Sequence, residues 1–156
     1  MENKKALILF SGGLDSTTVL HHALSKGYDC TALTIDYNQR HIYEVKSSQE
    51  YLKKENIDGL IFKIDLSQIG GSALTDNEVE VPIESQPGIP ITYVPARNTI
   101  FLSIASAYAE KLSINEIFIG VNQIDYSGYP DCRPEFVDSI QNTTVSYTHL
   151  RAHETS

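Results

Sequence analysis

The chain has 156 residues, a formal net charge of -8, and 41% hydrophobic and 21% charged residues. This length and composition indicate one soluble globular domain and exclude an intrinsically disordered chain. The acidic balance argues against a general nucleic-acid-binding protein, because such proteins neutralise phosphates with Lys and Arg.

Apolar runs and cysteines predict a cytoplasmic protein. No apolar run reaches the roughly 20 residues of a membrane helix, and the stretch in "MENKKALILF" is too short for a secretory signal. The two cysteines, Cys30 and Cys132, form neither a disulfide framework nor a metal cluster. We therefore expect both to be free thiols.

The first part of the chain alternates strands and helices. Apolar residues at Lys5–Phe10 predict a buried strand. Ser16–Lys26 has a helical apolar period, and Gly27 follows where a left-handed residue would end the helix. The next elements are a strand at 29–37, a helix at 42–56 and a strand at 59–66.

The second part begins with a long connection after Leu66, which contains Pro82, Pro87, Pro90 and Pro95. Connections of this length inside a domain are usually functional. A helix at 98–112, a strand at 116–121 and a helix from 134 follow, with Asn98 as the N-cap of the first helix. The alternation predicts an α/β fold with a mostly parallel sheet covered by helices on both faces.

The last dozen residues, 145–156, lack a sustained apolar period. They fit either a frayed C-terminus or a foreign tail translated from a sequencing adapter, and we favour the foreign tail. This interpretation divides the chain into a domain at 1–144 and a tail at 145–156.

The segment "SGGLDSTT" after the first strand suits an anion. Gly12 and Gly13 allow a sharp turn and a close approach to a ligand. The helix start beyond them offers free amides and a positive dipole end, and Asp15 could hold a magnesium ion between phosphates. A plain Gly-Gly turn with an Asp or Ser cap is the alternative. The surrounding hydroxyls belong to Ser11, Ser16, Thr17 and Thr18.

The loop lacks the patterns GxxxxGK[ST] and GxGxxG. An SGGxDS segment after an opening strand resembles the motif of the N-type ATP pyrophosphatases, which cleave ATP between its α and β phosphates. That motif alone leaves open the NAD, GMP, asparagine and argininosuccinate synthetases and the tRNA thiolation enzymes.

Three later clusters follow predicted strands or precede a helix. "DYNQRH" at 36–41 could be a solvated loop, and Arg97 of "VPARN" could be a surface residue or grip a phosphate. The segment 120–136 combines tyrosines with carboxylates, which suits a purine-like ring.

In this order, SGGLDSTT, DYNQRH, VPARN and SGYPDCRPEF closely resemble the 7-cyano-7-deazaguanine synthase family of queuosine biosynthesis, from about Lys5 to about Thr144. Asn38 replaces the glycine usual in the family, and Asn tolerates left-handed angles. The family's cysteine-rich zinc segment is missing, and Cys132 cannot replace a site of four ligands. We therefore expect an N-terminal fragment of a synthase.

The resemblance implies a Rossmann-like fold of the adenine nucleotide alpha-hydrolase type, incomplete at its C-terminus, and a cytoplasmic homodimer without nucleic acid or membrane partners. It implies a ligase that converts 7-carboxy-7-deazaguanine and ammonia to 7-cyano-7-deazaguanine with ATP and Mg, through an acyl adenylate and an amide. Zinc is implied only by the family.

The resemblance also implies site residues. Asp15 and Arg97 are the expected catalytic residues, and the chain itself supplies no metal ligand set. The residues expected at ATP are Phe10, Ser11, Gly12, Gly13, Leu14, Asp15, Ser16, Thr17, Thr18, Val19 and Leu20. The residues expected at the substrate are Arg40, His41, Tyr126, Asp131 and Arg133.

Two other functions remain open. One is an inactive nucleotide-binding fragment, and the other is a different N-type ATP pyrophosphatase, such as a tRNA thiolation enzyme. The acidic charge and the low cysteine content weigh against thiolation.

Overall fold

The computed structural model describes residues 4–38, 42–72, 93–121, 129–148 and 151–154. Within them lies one parallel sheet in the order β3-β2-β1-β4-β5. Its strands are β1 (Lys5–Leu9), β2 (Asp29–Asp36), β3 (Asp58–Lys63), β4 (Glu116–Ile119) and β5 (Arg151–Glu154).

Helices connect the strands, as the alternating sequence pattern predicted. They are α1 (Leu14–Ser25), α2 (Ile42–Lys54), α3 (Arg97–Lys111) and α4 (Pro134–Thr148). A 3-10 turn at Pro130–Cys132 precedes α4, whose first residue is the proline expected near the start of a helix.

Apolar clusters on both faces of the sheet hold the helices in place. Val19 and Leu20 of α1 and Leu52 of α2 pack in the cluster that contains Ile8 of β1. On the opposite face, the buried side chains of α3 and α4 pack in the cluster that contains Leu7. The predicted α/β fold with helices on both faces is therefore confirmed.

Strand β1 is the centre of the sheet. Leu7 pairs with Thr31 of β2 on one side and with Ile117 of β4 on the other. Ala6, Leu7 and Ile8 are all 0% exposed, because both faces of the strand are covered, which explains its continuous apolar run. The connections diverge at β1, and such a switch point is where open α/β sheets bind ligands.

Two turn residues have the left-handed conformation expected of them. Gly27 follows α1 with φ +80, and Asn38 follows β2 with φ 62. The side chain of Asn38 donates a hydrogen bond of 3.3 Å to Asp65 Oδ1, beyond the end of β3. A residue type that tolerates these angles stands at both positions.

The prediction that Asn98 is the N-cap of α3 is wrong. The cap is Ala96, with φ 54 and ψ 23, and Asn98 lies inside the first turn. The backbone N–H of Asn98 donates to Asp131 Oδ2 over 2.9 Å. The carboxylate of a distant segment thus serves the end of the helix, so no local side chain is needed there.

The C-terminal segment joins the sheet. Helix α4 continues to Thr148, and the backbone of β5 pairs in parallel with β4. The division between a domain at 1–144 and a tail at 145–156 stays a prediction, since this pairing does not reveal the origin of the residues. Most of the proline-rich connection, residues 73–92, lies outside the described residues.

Candidate functional site

A cavity of about 410 Å³ lies at the carboxyl ends of β1, β2 and β4. One wall is the segment between β1 and α1, and the opposite wall is the beginning of α3. The loop wall consists of Phe10, Ser11, Gly13, Leu14, Asp15 and Ser16. The cavity is therefore at the switch point where a ligand was expected.

The hydroxyl of Ser16 organises the loop. Its Oγ accepts a hydrogen bond of 3.2 Å from the backbone N–H of Ser11 and donates one of 3.1 Å to the carbonyl of Gly13. Ser16 is 7% exposed. A buried hydroxyl bonded to both arms of the turn fixes the shape of the loop before any ligand arrives.

Gly12 brings the loop against α2. Its φ is +83, and a Cβ built on it would lie 3.1 Å from the Cβ of Ser48. Both the backbone angle and the space therefore require glycine here. The side chain of Ser48 is fully buried and donates to the carbonyl of Val45 over 2.7 Å.

Gly120 brings the end of β4 against the other side of the loop. A Cβ on Gly120 would lie 3.1 Å from the carbonyl carbon of Asp15 and 3.2 Å from the nitrogen of Ser16. The loop is thus held between α2 and β4, and any side chain at Gly120 would push on the first turn of α1.

The first turn of α1 can receive an anion. Its N-cap, Gly13, makes no side-chain cap hydrogen bond, and the first helical bond runs from the N–H of Thr17 to the carbonyl of Gly13. The N–H groups before Thr17 have no partner within the helix. Together with the helix dipole, they favour a phosphate group at this end.

Residues of opposite charge line the two walls of the cavity. Asp15 is exposed on the loop wall, and Arg97, the first residue of α3, is half-buried on the opposite wall. The Nη1 of Arg97 donates to the hydroxyl of Tyr37 over 3.5 Å, and its guanidinium carbon lies 6.0 Å from the centre of that ring. The predicted pair of Asp15 and Arg97 is thus brought to one cavity.

Some residues predicted at ATP lie away from the cavity. Val19 and Leu20 are 1% and 0% exposed and belong to the core beneath α1. Thr18 is exposed and donates its hydroxyl to the carbonyl of Leu14 over 2.9 Å. Thr17 is half-buried one turn into the helix. Of the predicted segment, Phe10, Ser11 and residues 13–16 line the cavity, and Gly12 shapes the turn without lining it.

The residues predicted at the substrate fall into two groups. Asp131 is buried and bonded to Asn98, and Arg133 is exposed at the start of α4, where its carbonyl accepts from the N–H of Phe136. The others, Arg40, His41 and Tyr126, lie outside the described residues.

Sequence reasoning missed several residues that complete the site. Tyr37 and Asn98 lie in the motifs DYNQRH and VPARN, in which the charged Arg40 and Arg97 give the stronger signal for a phosphate site. Thr34 of β2 also lines the cavity, and its Oγ1 accepts from Gln49 Nε2 over 3.2 Å. Tyr37 directly follows a parallel strand, and this position could have identified it.

The described cysteines do not fit a zinc site. Burial raises the pKa of the Cys30 thiol from 9.0 to about 11, which disfavours the thiolate that binds metal. Cys132 Sγ receives a hydrogen bond of 3.3 Å from Asn98 Nδ2. Among the described residues, no group of three or more His, Cys, Asp or Glu side chains could hold a metal ion.

Carboxylates elsewhere at this edge are engaged locally. Hydrogen bonds from the hydroxyl and N–H of Ser67 lower the pKa of Asp65 below its usual range.

In the described part of the chain, no helix is long and apolar enough to cross a membrane.

Comparison with known proteins gives consistent matches. Residues 5–153 match the family model of the queuosine biosynthesis protein QueC. A 7-cyano-7-deazaguanine synthase of Thermoplasma volcanium is 59% identical over 155 residues, which cover 97% of this chain and 64% of that protein. One of Saccharophagus degradans is 54% identical over 151 residues, 96% of this chain and 67% of that protein.

The fold also matches solved structures. A 4-thiouridine synthetase in complex with RNA and bound ATP superimposes with a TM-score of 0.57 at 19% identity, over 97% of this chain and 36% of that one. This likeness concerns the fold alone. The chain spans 64% of the length of the Thermoplasma volcanium relative.

Proposed function

Since the chain belongs to the family of the queuosine biosynthesis protein QueC, we propose that it performs the ATP-dependent synthesis of 7-cyano-7-deazaguanine from 7-carboxy-7-deazaguanine and ammonia. The names of its relatives support this function. The proposed partners are these small molecules and include neither nucleic acid nor a membrane. We propose that the protein is a cytoplasmic ligase and that it forms a homodimer.

The observation that carries the proposal is the cavity between the loop and Arg97. Its loop wall offers helix N–H groups to phosphate oxygens, and its far wall offers a guanidinium. The absence of a side chain at Gly12 keeps the turn compact. These features fit a nucleoside triphosphate, and ATP is bound to the 4-thiouridine synthetase of similar fold.

A carboxylate is a poor electrophile at neutral pH, so an amine cannot displace its oxygen directly. ATP supplies the adenylyl group that makes this oxygen a leaving group, once for the amide and once for the nitrile. The residues of this chain provide position and charge, since no side-chain nucleophile is needed.

Each wall has its own part in the proposal. The N–H groups of Leu14 and Asp15 donate to phosphate oxygens. Asp15 is the residue that would hold a Mg ion, which would neutralise phosphate charge. Arg97 neutralises the charge that develops as pyrophosphate leaves. Arg40, His41, Tyr126, Asp131 and Arg133 remain the proposed contacts of the deazaguanine substrate.

The test measures two quantities on the purified chain. The first is ATP affinity in the presence of Mg, and the second is pyrophosphate release with and without 7-carboxy-7-deazaguanine, with mass spectrometry to detect the nitrile. We expect ATP binding and release that depends on the acid and ammonia. Pyrophosphate release at the same rate with and without 7-carboxy-7-deazaguanine would contradict the proposed substrate.

A second candidate is a nucleotide-binding module without turnover, since the loop and Arg97 account for phosphate binding alone. ATP binding without pyrophosphate release would support this candidate. Release stimulated by tRNA would instead indicate a thiolation enzyme.

A further inference from the structure

Asp131 and Asn98 join two distant segments at the edge of the cavity. The backbone N–H of Asn98 donates to Asp131 Oδ2 over 2.9 Å, and Asn98 Nδ2 donates to the backbone carbonyl of Asp131 over 2.9 Å. Asn98 donates both bonds, one from its backbone to the Asp131 side chain and one from its side chain to the Asp131 backbone, and together they fix the distance and the orientation of the segments. We call this pairing the Asp131–Asn98 clamp.

Burial makes the Asp131 side chain depend on its hydrogen bonds. Asp131 is 6% exposed, and a carboxylate removed from water needs hydrogen bonds to replace its hydration. Its position at the N-terminus of the 15-residue helix α3 adds the attraction of the helix dipole. The carboxylate is therefore committed to the helix end in this structure.

The backbone next to the clamp is strained. Ala96 has φ 54 and ψ 23, a left-handed conformation that is unfavourable for a residue with a Cβ. The hydroxyl of Tyr93 accepts the N–H of Ala96 over 3.1 Å. Strain of this kind persists only where neighbouring contacts enforce it, and here it turns the chain so that Arg97 begins the helix beside the cavity.

The tip of Arg97 has weaker support. Its bond to the Tyr37 hydroxyl, at 3.5 Å, is at the limit of hydrogen-bond length, so the direction of the side chain also depends on where the backbone of Arg97 begins the helix. We propose that Asp131 and Asn98 are positioning residues that aim Arg97 at the phosphates of ATP. This inference rests on the proposed function, because it requires ATP in the cavity.

The sequence suggested a different role for Asp131, as a direct contact of the deazaguanine substrate. The two roles predict different couplings. A positioning residue that acts through Arg97 loses its effect when Arg97 is absent, whereas a residue that acts independently keeps it.

The test is a double-mutant cycle on ATP affinity, measured by calorimetric titration of the whole chain with ATP and Mg. We expect Asp131→Ala to weaken binding about 10-fold, the scale of a lost charge-assisted contact. We expect Arg97→Ala to weaken it at least as much. The double variant should bind no more weakly than Arg97→Ala alone.

Three further variants separate positioning from general damage. Asn98→Ala should weaken ATP binding as Asp131→Ala does. Asp131→Asn keeps an oxygen that can accept the N–H of Asn98, so we expect an affinity within about threefold of wild type. Cys132→Ala removes the sulfur contact of Asn98 but keeps the clamp, and its ATP affinity should be unchanged. Thermal unfolding identifies a temperature at which all variants are folded.

The outcomes distinguish this inference from the proposed function. If the wild-type chain does not bind ATP, the proposed function fails and the clamp's role fails with it. If wild type binds ATP and Arg97→Ala weakens binding, but Asp131→Ala binds normally or adds fully to Arg97→Ala, only the clamp's role is refuted. If the double variant binds ATP as tightly as Arg97→Ala alone, the result supports the role of the clamp.

Discussion

Gly12 and Ser48 approach so closely that a Cβ on the glycine would lie 3.1 Å from the Cβ of the serine. This contact ties the loop of the cavity to α2, which belongs to the next crossover of the sheet. The shape of the loop therefore depends on a helix that contributes to the same cavity through Glu44 and Val45.

Gly12→Ala should abolish ATP binding, because the new methyl group meets Ser48 and the loop must move. Gly27→Ala is the matched control, since Gly27 has φ +80 but nothing within 4 Å of a built Cβ. Both variants should lose about 1–2 kcal/mol of unfolding free energy from left-handed strain. Calorimetric titration with ATP should show normal affinity only for Gly27→Ala. Equal affinities in the two variants would show that the contact is unimportant.

Asp15→Asn should reduce the gain in ATP affinity that Mg provides. In the proposed site, the carboxylate would repel phosphates without Mg and would hold the ion when it is present. We expect the ratio of dissociation constants without and with Mg to fall about tenfold. Asp138→Asn makes the same charge change on an exposed part of α4 and should leave the ratio unchanged. If the Asp15→Asn variant keeps the wild-type ratio of dissociation constants, Asp15 does not hold the Mg ion.

Leu20→Ala should destabilise the protein by about 2–5 kcal/mol, because it creates a cavity in the core. At a temperature where the variant is folded, its ATP affinity should equal that of wild type. Leu24→Ala, on the same helix but 36% exposed, should cost about 1 kcal/mol or less. Chemical denaturation measures both. A stable Leu20→Ala variant with weak ATP binding would instead support the sequence-based assignment of Leu20 to the ligand.

The Cys30 thiol should make stability fall in alkali. Its pKa rises from 9.0 to about 11, first because of burial and second because of the charge of Asp29. The unfolded chain releases this proton first, so the contribution of Cys30 is intact below pH 9 and is lost as the pH rises toward 11. Two pKa units correspond to about 2–3 kcal/mol.

Urea unfolding at several pH values tests this effect. From pH 8.5 to pH 11, the unfolding free energy of wild type should fall relative to that of Cys30→Ala. A difference that stays constant over this range would refute the assignment.

Local patterns were sufficient for much of the fold. The central strand followed from the apolar run at Lys5–Phe10, and the left-handed turn at Gly27 followed from the residue type. Both depend on neighbours in sequence, so the sequence alone predicts them. The cavity loop was also predicted, because the glycines and hydroxyls of Ser11–Ser16 are contiguous.

Contacts between distant segments could not be predicted in this way. Asn98 is a common N-cap residue, yet Asp131 supplies the capping carboxylate from another part of the chain, and Ala96 takes the strained cap position. Only the packing of the elements distinguishes this case. Val19 and Leu20 are different, because they continue the loop motif in sequence but the helical apolar period, a local signal, already indicates that they face the core.

The sheet order also has a consequence for how the protein is made. Leu7 of β1 pairs with Ile117 of β4, so a ribosome releases the first half of this pair long before the second. Until β4 arrives, one edge of the most apolar strand is unpaired, and pairing over such a separation slows folding. Until β4 has been synthesised, the nascent chain therefore exposes an unpaired edge of an apolar strand, the kind of edge at which chains aggregate.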